Sequence, residues 1–201
     1  MDRLRHLFQP LTIGRMELRN RTVMAPMVTN YCSSDGAPTA RLMDYLAARA
    51  RGGVGLVVVE ASYVRTDGKG FRNEMGIHSD DLIPTLRELT RRVHEGGSKI
   101  SVQLFHAGRQ TSAAVTGEQP LAPSPLADPS SGELPRELPV AEVVALEDAF
   151  AAAARRARAA GFDAVAGHGA QGSRSHQVLS PFAHRRPDEY GGYPRTRARC
   201  A

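Results

Sequence analysis

The chain repeats one pattern of apolar and polar positions. A short apolar run opens into a polar loop, then an amphipathic stretch follows and stops at glycine. Thr22 to Val28 (TVMAPMV) predicts a strand, and after a loop rich in Asn, Ser, Asp and Gly the spacing predicts a helix from Thr39, its N-cap, to Arg51, ended by Gly52-Gly53. Val54 to Glu60 (VGLVVVE) is almost continuously apolar, the signature of a strand buried on both faces of a parallel sheet. Pro84 fits the first turn of a second helix, with Leu86, Leu89 and Val93 at helical spacing and Gly96-Gly97 at its close. Ile100 to Leu104 (ISVQL) alternates as a strand does, then opens into His106-Ala107-Gly108-Arg109.

Ser112 to Pro139 holds six of the thirteen prolines and reads as an irregular surface excursion, because the repeat resumes after it. From Val140 to Ala160 the positions Val143, Leu146, Phe150, Ala153, Ala154 and Ala157 keep a helical stripe whose alanines imply close packing on a sheet. Gly161 ends that helix, and Phe162 to Ala166 predicts a fourth strand. Four such units demand a parallel sheet with right-handed crossovers, either open and doubly wound or curled into a (β/α)8 barrel. Each post-strand loop is the polar one and carries candidate functional residues, as in a barrel, and no GxGxxG follows the first strand. The expected fold class is therefore α/β, barrel type.

Composition narrows the function classes. The 201 residues carry 26 Lys+Arg against 21 Asp+Glu, a formal charge of +5, which raises the question of a polyanion partner. The arginines are scattered over helix faces and aromatics make up 5% with no Trp, so no stacking platform accompanies the charge; the expectation is a solvated basic surface and no nucleic acid. Charges interrupt the N-terminal stretch MDRLRHLFQPLTIGRMELRN before any apolar run could form a signal core or a membrane span. Two cysteines give neither a disulfide framework nor metal spacing. The compartment expected is the cytoplasm, with no membrane and no metal.

The fourth strand empties into a loop holding His168, Gln171, Ser173, His176 and His184 among glycines. Metal ligation in a hydrolytic barrel is one reading, but the last three histidines are eight residues apart and no carboxylate cluster joins them. Pro26 and Met27 are open to simple strand-end packing. Gln103 is sharper: an amide in an apolar strand needs a ligand or an internal bond. His106 and Arg109 read as braces between loops.

Leu7-Phe8 with Pro10-Leu11, Ala25-Pro26-Met27, the run Gly52 to Ala61, Gln103-Leu104 with His106 to Arg109, and Leu179-Ser180-Pro181 with Arg185, Arg186, Asp188 and Tyr190-Gly191-Gly192 together resemble the old yellow enzyme family. The chain looks most similar to its NADH:flavin oxidoreductase and 2,4-dienoyl-CoA reductase branch. The resemblance implies an FMN-dependent (β/α)8 barrel in which NAD(P)H gives hydride to flavin and the flavin reduces a small activated alkene. It implies that Ala25, Pro26, Met27, Val28 and Ala61 lie along the flavin, and that Gln103 bonds its pyrimidine edge, as an amide that donates and accepts can. His168 and Gln171 fall on the pair that hydrogen-bonds the substrate's electron-withdrawing oxygen. Gln171 stands where the family has His or Asn, and Ser173 where many relatives place a tyrosine proton donor. Val28 replaces a frequent Thr or Cys beside the flavin, and Ala166-Gly167 replaces a Glu-hydrophobe pair.

A complete barrel needs about 250 residues. Residues 1–201 are therefore expected to form a single partial FMN-binding domain, the N-terminal half of the barrel with the C-terminal half absent, ending near the start of the fourth helix at Arg197 to Arg199. The unpaired edges at strands one and four predict self-association. The alternative to an active enzyme is a non-catalytic barrel fragment that binds FMN weakly or not at all.

Overall fold

A computed structural model describes residues 4–129 and 131–200. It opens on a feature the apolar pattern did not announce. Strands β1 (Leu11–Ile13) and β2 (Met16–Leu18) pair antiparallel, and Gly14 takes φ +58° in the turn between them. There follow β3 (Val23–Met24), α1 (Ala40–Arg51), β4 (Leu56–Tyr63), α2 (Ile83–Glu95) and β5 (Lys99–Phe105). A short helix α3 (Ala113–Thr116) and the two-residue strands β6 (Leu121–Ala122) and β7 (Arg136–Glu137) lie in the excursion; then come α4 (Val140–Ala159), β8 (Ala164–Gly167), α5 (Arg174–Leu179) and α6 (Pro194–Arg197).

The helices start and stop where their sequence signals place them. Thr39 is the N-cap of α1 with extended φ and ψ, Pro84 sits in the first turn of α2, and the N–H groups of Gly52 and Gly96 donate to the last helical carbonyls. The first strand is shorter than Thr22–Val28, since Pro26 has no N–H to give to a ladder. The fourth begins at Ala164 rather than Phe162 because Phe162 is buried beneath α4 and the Asp163 carboxylate turns back to accept from the Ile100 N–H at 2.9 Å.

β3, β4, β5 and β8 form one parallel sheet in that order, each strand beside its predecessor. Sequential order with no reversal is the arrangement of a barrel wall, and a doubly wound sheet would reverse at a switch point. α1, α2 and α4 all cover one face, where Leu42, Leu46, Leu86, Leu89, Leu146, Ala153 and Ala157 pack on Val57, Val59, Ile100 and Val102. The chain thus folds as four successive βα units of a (β/α)8 barrel, the N-terminal part of that architecture. Alternate strand residues, Val58, Ser101, Gln103, Ala164 and Ala166, take the opposite face, which in a barrel is the interior.

Candidate active site

The strand register brings the candidate residues together. One extra residue, Glu60, interrupts β4, so that Val59 pairs with Val102 but Ala61 pairs with Gln103. Gln103 in turn pairs with Ala166 of β8. Ala61, Phe105 and Ala107 form a small buried cluster with Val28 packed against it, apart from the main core. This cluster lies at the carboxyl ends of the strands.

Ala25 to Val28 follow β3 outside any strand. Val28 is half-buried, whereas the Met27 side chain is 66% exposed, more than strand-end packing would leave it. Gln103 is half-buried, and its side-chain amide has no hydrogen-bond partner in the protein among the described residues. An internal bond is therefore not what satisfies this amide.

His168 continues β8: its N–H donates to the Leu104 carbonyl at 3.1 Å. Its ring lies 5.3 Å from that of Phe105, centroid to centroid, tilted by 42°. Desolvation holds the imidazole below its ordinary pKa of 6.5, with contact from the Gln171 side chain opposing the shift. Nδ1 faces the Ala170 N–H at 3.4 Å, which assigns the proton of the neutral ring to Nε2. Gln171 stands beside it, exposed, in the left-handed conformation at φ +58°. Ser173, at the position where many relatives place a tyrosine, is turned inward. It is buried, and its hydroxyl serves the carbonyls of His168 at 3.0 Å and Ala170 at 2.9 Å. It braces the loop.

The remaining histidines have separate partners. His106 is buried, accepts the Gly108 N–H on Nδ1 at 3.0 Å and turns Nε2 to Asp67 at 3.3 Å, with Asp67 also paired to Arg65. His176 accepts the Gly172 N–H, and His184 Nδ1 meets the Val178 carbonyl at 2.5 Å. No group of three metal-ligating side chains assembles among the described residues. His106 and Arg109 brace loops as their sequence context suggested: Arg109 lies 3.7 Å from Asp128 and donates to the Leu126 carbonyl at 3.3 Å.

Two braces were not read as such from the sequence. Gln177, buried, accepts from the Arg109 N–H at 3.3 Å and donates to the Ala107 and Gly172 carbonyls at 3.2 and 2.6 Å, joining the loops after β5 and β8. Arg186, buried, pairs with Asp188 and donates to the Pro123 and Leu138 carbonyls, so it ties the excursion to the chain beyond β8. Glu60 was legible only as an acid ending an apolar run. Phe105 lies just past the predicted strand Ile100 to Leu104 and was not named; continuing the alternation Ser101, Gln103 by one step would have found it.

This face is open, since four strands curl only part of the way round; a shallow groove of about 650 Å³ between α2 and the end of α4 lies away from it and carries no convergent chemistry. A flat apolar wall edged by a free amide and a neutral imidazole suits a planar heteroaromatic ligand. Residues 6–201 match the NADH:flavin oxidoreductase / NADH oxidase family. The chain belongs to that family. It is 43% identical over 194 residues to an NADH oxidase of Thermoanaerobacter brockii, covering 96% of this chain and 30% of the relative. It is 43% identical over 197 residues to an NADPH dehydrogenase of Bacillus subtilis (strain 168), covering 97% and 57%. Among solved structures, the old yellow enzyme homologue from Zymomonas mobilis superposes with a TM-score of 0.88 at 33% identity, covering 96% of this chain and 57% of that one. The chain thus spans little more than half the length of the NADPH dehydrogenase, and less than a third of the NADH oxidase.

Proposed function

We propose that this chain provides the flavin-facing wall and the substrate-oxygen donor of an FMN-dependent oxidoreductase that moves hydride from NAD(P)H to a small activated alkene. The observation that carries this reading is the convergence of Val28, Ala61, Gln103, Phe105 and His168 on one side of the strand ends. The fit to an isoalloxazine is chemical: a small-residue wall admits a flat ring, and an amide without a protein partner matches an edge that both donates and accepts. FMN, when bound, supplies the hydride relay.

This chain's residues do the positioning. The Ala25–Val28 segment would lie along the ring and Gln103 would hold its pyrimidine edge. His168, neutral with its proton on Nε2, would donate to the alkene's electron-withdrawing oxygen, stabilising the negative charge that grows there as hydride arrives at the far carbon. Gln171 would give a second donor from its amide. With the Ser173 proton turned to the His168 and Ala170 carbonyls, protonation of the α-carbon would fall to solvent.

We read residues 1–201 as one partial FMN-binding barrel domain acting in the cytoplasm. Its edges β3 and β8 have no strand partner on their outer sides among the described residues, and Val23 and Val165 are about half-exposed there. Pairing of copies through these edges is part of the proposal, and sedimentation against concentration tests it.

Purification decides the central claim. The expected product is yellow and bleaches anaerobically with NADH or NADPH; His168→Ala should cut enone turnover about 100-fold and leave FMN affinity nearly unchanged. A colourless chain that FMN cannot reconstitute would instead mark a non-catalytic fragment. Equal losses of turnover and FMN affinity would make His168 structural.

A further inference from the structure

The bulge in β4 does more than set Ala61 opposite Gln103. It frees Glu60 from the strand alternation, and the carboxylate, 2% exposed, reaches the loop after β3. Oε2 accepts the Thr29 N–H at 2.8 Å and the Thr29 hydroxyl at 2.6 Å; Oε1 accepts the Met75 N–H at 3.2 Å. Each oxygen therefore faces a backbone N–H, a donor that cannot turn into an acceptor. An amide would set hydrogen against hydrogen on one side, and a protonated acid would weaken one of the two acceptors. The geometry favours the ionised carboxylate, although burial opposes ionisation and raises its pKa.

Its surroundings agree with a single anion. Burial pushes Cys32 up and Glu74 to about 8, leaving both neutral at pH 7, while the Lys69 ammonium donates to the Ser34 carbonyl at 2.5 Å. The Thr29 hydroxyl that donates to Glu60 also accepts the Tyr31 N–H at 3.2 Å. Between these two residues Asn30 is left-handed at φ +56°, a conformation that asparagine enters more readily than other non-glycine residues and that the contacts on either side hold in place.

We propose that Glu60 is the positioning residue of the cofactor wall: its ionised carboxylate, projected from the β4 bulge, fixes the turn 29–31 and with it the adjoining Ala25–Val28 segment. The ligand of that wall rests on the flavin reading; the contact itself does not.

The test uses the full chain, isotopically labelled, as wild type, Glu60→Gln and Glu60→Asp. Glu60→Gln should speed hydrogen exchange of the Thr29 and Met75 amides about ten-fold or more, return the Asn30 HN–Hα coupling to a negative-φ value, and leave the Val102 amide in β5 protected. Glu60→Asp, which keeps the charge, should restore part of both signals. In the flavin arm, FMN affinity and the bound flavin's absorption should shift with the Gln variant and partly recover with Asp. Wild-type values of Thr29 exchange and Asn30 coupling in Glu60→Gln overturn the proposal, as does loss spread equally into β5. Should Glu60→Gln fail to fold, Thr29→Val keeps the backbone donor and removes the hydroxyl: loss of Tyr31 protection and of the Asn30 conformer supports the pin, and their persistence sinks it. A wild-type chain that binds no FMN defeats the flavin reading, while the amide and coupling signals still decide the pin.

Discussion

Glu74 offers a quantitative check on the buried polar cluster behind the candidate site. Its side chain is fully buried; Oε2 accepts the Gly70 N–H at 2.7 Å and Oε1 has no hydrogen-bond partner among the described residues. Burial raises its pKa from the ordinary 4.5 to about 8. A raised carboxyl pKa favours the fold while the unfolded chain is also protonated, and that advantage drains away as pH rises through the folded value. Below pH 4.5 both states hold the proton; between 4.5 and about 8 only the folded state does, and stability falls by about 1.4 kcal/mol per unit. The whole span amounts to at most ~5 kcal/mol. Glu74→Gln keeps an oxygen for Gly70 and never ionises. It should match the wild type near pH 4.5 and exceed its stability by several kcal/mol at pH 8 to 9, reaching ~5 at most. Urea unfolding of both proteins at half-unit steps from pH 4.5 to 9 gives the difference directly, with other titrating groups largely cancelling. Two parallel stability curves would refute the assignment of a neutral, buried Glu74.

Two further substitutions probe the loops. Gln171 sits at φ +58°, so Gln171→Gly should stabilise the chain by about 0.5–1 kcal/mol in urea unfolding while lowering enone turnover through loss of a donor; net destabilisation would mean that its contact with His168 outweighs the backbone strain. Arg186→Ala removes the donor to two buried carbonyls and the Asp188 pair, at a cost of about 3 kcal/mol. It should open the 112–139 excursion to proteolysis. Arg186→Lys should not rescue it, because one ammonium cannot reproduce the planar fork.

The three long helices were legible to within a residue, because Thr39, Pro84 and the glycine pairs act locally and nothing distant competes with them. β4 and β5 were legible as apolar runs, though each extends further toward the site than its run suggested. The edge strands were not. β3 loses its second half to Pro26, and β8 slips because Phe162 serves the core and Asp163 serves Ile100. The β1–β2 hairpin was missed because each of its strands is only three residues long, too short to show a period, and only Gly14 at the turn marked it. For the candidate site, Gln103, His168 and Ala61 could be named from the chain, but their convergence depends on a bulge at Glu60 that no local signal encodes. Ser173 was legible as a residue too short for the tyrosine role of its position, but not as a brace: that depends on a helix start that places the His168 and Ala170 carbonyls beside its hydroxyl.

The clamp made by Arg109 and Arg186 changes how the proline-rich excursion should behave in time. A loop joined to the sheet only at its ends would breathe alone on a fast timescale and act as a cover that opens. Here residues near 123–138 hang on an arginine more than forty positions later, and Ser124 accepts the Arg185 N–H at 2.8 Å. The two segments form one opening unit, whose exposure requires the chain beyond β8 to release first. Hydrogen exchange in the excursion should therefore rise and fall with that in residues 183–191. Entry to the face that holds His168 would then come past a fixed wall and not through a moving lid.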